Sequence, residues 1–260
     1  MNNLSQLLSD NQFNAVYNML SLGLASMLFT SLFLFVSRDR VLPRYRMAVT
    51  VSGIVTAIAA YHYFRIFDSF NHAFAGPTNN PYAYNVGYRY VDWLLTVPLL
   101  LVETVAVLAI GRMAQQKLLR GLVPAATAMI VLGYPGDARL DLFGISAPVW
   151  GALSTIPFLY ILYILFVELG KSLERQSDQV RATVKNLRIL LIATWGVYPI
   201  TFILAMNATG FDPAALVSRE IGYSIADVLA KCAYGLLIFK IARMKSAEDS
   251  KEFAESEFRD

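Results

Sequence analysis

Seven stretches of mostly apolar residues, each long enough to cross a bilayer, follow one another along this chain and leave few folds open. They run over 13–37, 47–67, 87–110, 119–135, 146–168, 187–208 and 220–243. A helix that spans hydrocarbon needs about 20 such residues. With no water there to satisfy an open backbone, the stretches must be helical. The expected fold is all-α: one seven-transmembrane-helix bundle over residues 1–260, with 240–260 as a solvated cytoplasmic tail. Composition agrees, since 56% hydrophobic and 16% charged residues is far from a soluble enzyme. The single cysteine, Cys232, excludes an internal disulfide, and a net charge of +3 gives no reason to expect a nucleic-acid partner.

Short polar or Pro/Gly-marked connections separate the stretches, as at Arg38-Asp39-Arg40, at 76–81 and at Gly210-Phe211-Asp212-Pro213. The amino terminus is polar and lacks Lys and Arg, so it does not read as a signal peptide. Counting the connections together with the ends of the stretches, one side of the membrane carries 17 of the 22 basic residues and the other 3. The basic side faces the cytoplasm, which puts the amino terminus outside and the carboxyl terminus inside. The remaining two, Arg89 and Lys231, lie within stretches.

An ionisable group inside a spanning helix is costly unless paired, which makes each one a functional candidate. The third stretch carries Arg89, Asp92, Thr96 and Glu103, in that order from the outside inward. Asp92 and Glu103 are eleven residues apart, within about 20° of one helix face and roughly 16 Å along the axis. A polar stripe of this kind suggests a proton or ion path. In the seventh stretch Asp227 and Lys231 are spaced i to i+4 and share a face. One reading is a buried structural salt bridge, such as a small-molecule transporter could carry. The other starts from the chemistry of a desolvated lysine amine, which condenses readily with an aldehyde. The cation so formed needs counter-ions, and Asp92 and Asp227 could supply them. His62 falls at the depth of Asp92, either as a structural hydrogen-bonding group or as the partner of that carboxylate. Trp93, Trp195, Tyr198, Pro199, Phe202 and Tyr223 frame the middle of the bundle, as core packing or as the walls around a flat polyene.

These residues carry a resemblance. The run from Arg89 to Glu103 (RYVDWLLTVPLLLVE) resembles the third helix of the microbial (type 1) rhodopsins, in the proteorhodopsin and xanthorhodopsin group. Ile225 to Lys231 (IADVLAK), Trp195 to Pro199 (WGVYP), Gly133 to Gly136 (GYPG) and Ala60 to Arg65 (AYHYFR) continue it. Any one motif is weak; all of them in order, on the right helices, are specific. The resemblance implies all-trans retinal bound to Lys231 as a protonated Schiff base. It makes Asp92 the proton acceptor, Glu103 the proton donor, Asp227 the second counter-ion, Arg89 the arginine of the extracellular side and His62 the acceptor's partner. Thr96 takes the middle place of an Asp-Thr-Glu motif similar to that of outward proton pumps rather than of sodium or chloride pumps. Trp93, Leu100, Met129, Gly133, Ser154, Trp195, Tyr198 and Pro199 match pocket positions, and Leu100 resembles green-absorbing members.

Gly151 stands where many relatives carry a bulky aromatic. It is either a helix-packing glycine or a window through which a hydroxylated carotenoid of lutein or zeaxanthin type reaches the retinal ring. The function so implied is a light-driven outward proton pump of the prokaryotic plasma membrane, not an enzyme. Its partners are the lipid bilayer, protons and further copies of itself in a pentamer or hexamer. The alternative is a photosensory rhodopsin that signals through a partner; the carboxyl at Glu103 favours pumping, because a sensor gains little from fast reprotonation.

Overall fold

The computed structural model describes residues 7–75, 80–108, 110–174, 176–206 and 211–258. Most of the 76–81 connection and Gly210 lie outside the described residues. Helix α1 (Asp10–Ser37) opens on a capping box, in which Ser9 and the side chain of Gln12 each satisfy the other's backbone N–H. Helix α2 (Pro43–Phe74) starts on a proline, whose missing N–H costs nothing in a first turn. Helices α3 (Gly87–Val107), α4 (Arg112–Asp137) and α5 (Ala147–Leu173) follow. The sixth crossing is α6 (Asp178–Trp195), capped by Ser177, and α7 (Val197–Met206), which resumes after Gly196. Asp212 caps α8 (Pro213–Asp227) through the backbone N–H groups of Ala214 and Ala215. A π-helical turn (Val228–Ala233) leads on to α9 (Tyr234–Asp249) and the short α10 (Lys251–Phe258).

Among the described residues, six segments are long and apolar enough to cross a membrane. The seventh crossing is shared by α8, the π turn and α9, none of which spans alone, and together they complete a seven-helix bundle. Apolar residues cover the outside. On α1, Leu22, Phe29 and Val36 are exposed, while Val16, Leu20, Met27 and Leu34 on the opposite face are fully buried. The charges go inside: Arg89, Asp92, Glu103, Glu220, Asp227 and Lys231 are all buried. One close approach fixes how α1 meets α2. A Cβ on Gly23 would lie 2.3 Å from Cε1 of Tyr63, so only glycine admits that ring.

Two expectations change. Helix α4 runs well beyond the apolar 119–135 stretch, because its polar first turns continue past the hydrocarbon. The tail is not simply solvated. Asp249 accepts hydrogen bonds from Arg44 at 3.0 Å and Tyr45 at 2.7 Å, and Glu257 of α10 is held by Arg40 at 2.7 Å and Arg243 at 2.9 Å. Opposite charges fold it back over the connection between α1 and α2.

Candidate functional site

Lys231 lies inside the π turn, the one place where the seventh crossing departs from regular α geometry, and such turns recur at functional sites. Its Nζ donates to Asp92 Oδ2 at 2.8 Å and to Asp227 Oδ1 at 2.7 Å. Helix α3 and the seventh crossing are thereby joined at the centre of the bundle, through the pair of carboxylates expected from the sequence.

The two carboxylates are held differently. Asp227 also accepts from Tyr63 at 2.9 Å, Arg89 at 3.1 Å, Trp93 Nε1 at 3.1 Å and Tyr198 at 2.7 Å. Asp92 Oδ1 has no hydrogen-bond partner. Thr96, one turn on, donates to the backbone carbonyl of Asp92 at 2.8 Å, not to its carboxylate. The expected pairing of His62 with Asp92 is adjacency rather than a bond. His62 Nδ1 stands 3.9 Å from Asp92 Oδ1 and only 2.9 Å from the carbonyl of Ile58, the acceptor one turn back on its own helix.

Toward the α8 end, Arg89 bridges Asp227 to Glu220, whose Oε2 it meets at 2.7 Å. Tyr84 donates to the same oxygen at 2.7 Å, and Arg219 reaches Oε1 at 3.3 Å. The sequence reading missed Glu220. Its signal was present: Glu220 precedes Asp227 by seven residues, two helical turns on the same face. In the other direction along α3, Glu103 is fully buried; neither oxygen makes a hydrogen bond at ordinary distance, with the Ser52 hydroxyl of α2 close by. Beside it, the Thr104 hydroxyl donates to the Leu100 carbonyl at 2.6 Å and meets the Tyr234 hydroxyl.

From Lys231 a cavity of about 310 Å³ runs between α3, α4, α5 and the sixth crossing. That is within the size range of small-molecule sites. All eight pocket positions expected from the sequence line it, Trp93, Leu100 and Trp195 among them. Trp93 is boxed by Tyr198 and Tyr223, with ring centroids 4.9 and 5.2 Å away. Ser154 spends its hydroxyl on the Met129 carbonyl at 2.7 Å, so this wall is effectively apolar. An apolar, aromatic slot that ends at an amine between two carboxylates fits a flat polyene aldehyde such as retinal. Gly151 also lines the slot, and the side of it that would form a window is covered. A Cβ there would lie 2.6 Å from Cε1 of Phe202, whose ring also rests against Gly136.

Residues 14–244 match the family model described as bacteriorhodopsin-like protein. The green-light absorbing proteorhodopsin of Gamma-proteobacterium EBAC31A08 is 31% identical over 229 residues, covering 86% of this chain and 84% of the relative. Among solved structures, xanthorhodopsin, a light-driven ion pump with dual chromophore, superimposes with a TM-score of 0.85 at 45% identity, covering 93% of this chain and 98% of its own. A thermophilic rhodopsin gives 0.86 at 41% identity, covering 94% and 98%. With six helices that can cross a membrane and these relatives, the chain is a multi-pass protein of the prokaryotic plasma membrane.

Proposed function

The chain belongs to the bacteriorhodopsin-like family, and from that premise we propose that it is a light-driven outward proton pump with all-trans retinal on Lys231. When bound, retinal would supply a protonated Schiff base at Nζ and a light-driven change in that nitrogen's orientation and basicity. The rest is work for the chain's own residues. Asp227, saturated by five donors, serves as the fixed counter-ion. Asp92, with one oxygen free, receives the proton from Nζ. Arg89, between Asp227 and Glu220, connects this centre to the extracellular side. Glu103 returns a proton to Nζ and refills from the cytoplasm, since a buried carboxyl without partners suits the neutral acid better than the ion.

The single observation that carries this reading is a fully buried carboxyl, Glu103, that makes no ion pair among the described residues, on the helix that also bears Asp92. A photosensory receptor gains little from a proton donor there. The reading places the amino terminus outside, makes residues 1–260 one domain, and assembles copies of the chain into a pentamer or hexamer. A hydroxylated carotenoid could act as antenna at Gly151 only if Phe202 moves aside. The test is a suspension of cells that express the chain with retinal. Illumination should acidify the medium, and a protonophore should abolish the change. Alkalinisation, or no change at all, would overturn outward pumping.

A further inference from the structure

A second cavity, about 870 Å³, hollows the end of the bundle that carries most of the basic residues. Arg44, Lys117, Lys171 and Lys245 line it, together with Glu248 and Asp249. Both carboxylates are engaged elsewhere, Asp249 with Arg44 and Tyr45, and Glu248 with Ser177. Of the four cations only Lys245 is buried; the others stand exposed. Its Nζ donates to the carbonyl of Leu108 at 3.2 Å and to Gln176 Oε1 at 2.8 Å. Leu108 follows the last residue of α3, so this ammonium satisfies a helix-end carbonyl and ties α3, the connection before α6, and α9 together. Both acceptors are neutral; Lys245 forms no ion pair within contact distance among the described residues, and Asp249 and Glu248 act on it only at longer range across the vestibule.

Glu103 lies on α3 five residues before Leu108, about 7.5 Å along the helix axis. Its oxygens make no hydrogen bond, and its polar neighbours are the hydroxyls of Ser52 and Tyr234, which are far too weakly acidic to supply a proton at neutral pH, so a proton once given up must come from further away. We propose that this vestibule is the route by which Glu103 is refilled from the cytoplasm, and that Lys245, strung between Leu108 and Gln176, is the barrier across it. The proposal rests on the pumping role given to Glu103 above. Lys245 acts as a positioning residue in two ways. Its two hydrogen bonds hold three elements closed over the inner wall, and its positive charge, partly screened at the edge of the vestibule, opposes an incoming proton. The vestibule can then stay wet while the donor stays dry until the three elements part.

Flash photolysis of the full-length, retinal-bound protein with a pH-indicating dye separates uptake from the earlier steps. Lys245→Met keeps the bulk of the side chain and removes both bonds and charge. Proton uptake should become about tenfold faster, the effect of taking one charge from a partly screened site. The return of the proton to Nζ should be unchanged, and Lys245→Arg should restore the wild-type rate. Gln176→Leu, which cuts one tether and keeps the charge, should give a smaller acceleration, and it decides the question if Lys245→Met yields no visible band. Unchanged or slower uptake would overturn the proposal. If Glu103→Gln alone leaves the return of the proton unaltered, the donor role itself fails. If Glu103→Gln slows that return while Lys245→Met leaves uptake unaffected, only the barrier fails.

Discussion

Asp92 and Asp227 lie 2.8 and 2.7 Å from the same Lys231 ammonium, yet Asp227 accepts hydrogen bonds from four further side chains and Asp92 from none among the described residues. The pair therefore divides into a carboxylate that is fixed and one that is free to take a proton. Five donors around Asp227 come from α2, α3, the sixth crossing and the π turn, so its charge organises the whole centre. Asp92 can change its protonation without breaking any bond except the one to Lys231.

This division sets the expected behaviour of Asp92→Asn. The amide removes one of two negative charges facing the bound cation, which stabilises its ground state less, so the dark absorption band should move to the red. Acidifying the wild type should produce the same movement as Asp92 takes up a proton, and raising the pH again should reverse it. Outward pumping should be lost in the variant. An absorption titration and a light-induced pH assay check both points, and pumping that persists would remove Asp92 from the acceptor role.

Lys231→Ala should give a colourless protein when retinal is added. No other lysine lines the 310 Å³ slot, so a covalent chromophore with a normal visible band in this variant would refute the assignment. The same change leaves two buried carboxylates without their shared cation. Removing one partner of a buried pair costs about 3–5 kcal/mol, and the thermal midpoint of the apoprotein should fall accordingly.

Glu103→Gln keeps the shape of the side chain and cannot give a proton. Colour and the transfer to Asp92 should be preserved, while the return of the proton to Nζ should slow by about two to four decades, the usual contribution of one positioned acid. Transient absorption at neutral pH measures it. Added azide, a small mobile acid, should recover part of the rate, which a purely structural defect would not allow.

Gly23→Ala tests the contact that aims Tyr63 at Asp227. The new methyl would meet the Tyr63 ring far inside van der Waals distance. Overpacking of this kind costs about 1–3 kcal/mol. It should also displace the hydroxyl that reaches Asp227 at 2.9 Å. A lowered midpoint together with a shifted absorption band is the expected signature; a lowered midpoint alone would mean that the ring yields without moving its hydroxyl.

Helical spacing made the centre of this site legible in the sequence. Asp92, Thr96 and Glu103 share a face by count, Asp227 and Lys231 sit one turn apart, and charges within apolar stretches mark themselves. Ends and neighbours were harder. Glu220 stands at the first residue of the seventh stretch, where an acidic residue reads as an interfacial one, and only Arg89 arriving from α3 makes it internal. The bond from His62 to the Ile58 carbonyl is a choice between two acceptors that depends on rotamer, which spacing does not encode. The tail of alternating charges reads as solvated until Arg40 and Arg44, distant in sequence, are brought beneath it. Likewise nothing near Gly151 in the sequence announces that Phe202, on a different crossing, covers it.

That cover determines how the antenna can be tested. If a rigid carotenoid is to reach the slot beside Gly151, the ring of Phe202 must swing away, because its edge already occupies the space that a side chain at 151 would fill. Phe202 is half-buried and its neighbour Ile203 is exposed, so the ring stands at the boundary between slot and lipid. Phe202→Ala should therefore open the window fully, since an apolar gap favours an apolar occupant. The measurement is an excitation spectrum of the photocycle after addition of lutein or zeaxanthin. Carotenoid bands should be weak to moderate in the wild type, stronger in Phe202→Ala and absent in Gly151→Trp, where the indole blocks the opening whatever Phe202 does. Retinal absorption should survive in all three proteins, showing that the slot itself is intact. Equal responses from the three, or none from Phe202→Ala, would reduce Gly151 to a glycine that lets α5 and the sixth crossing pack closely.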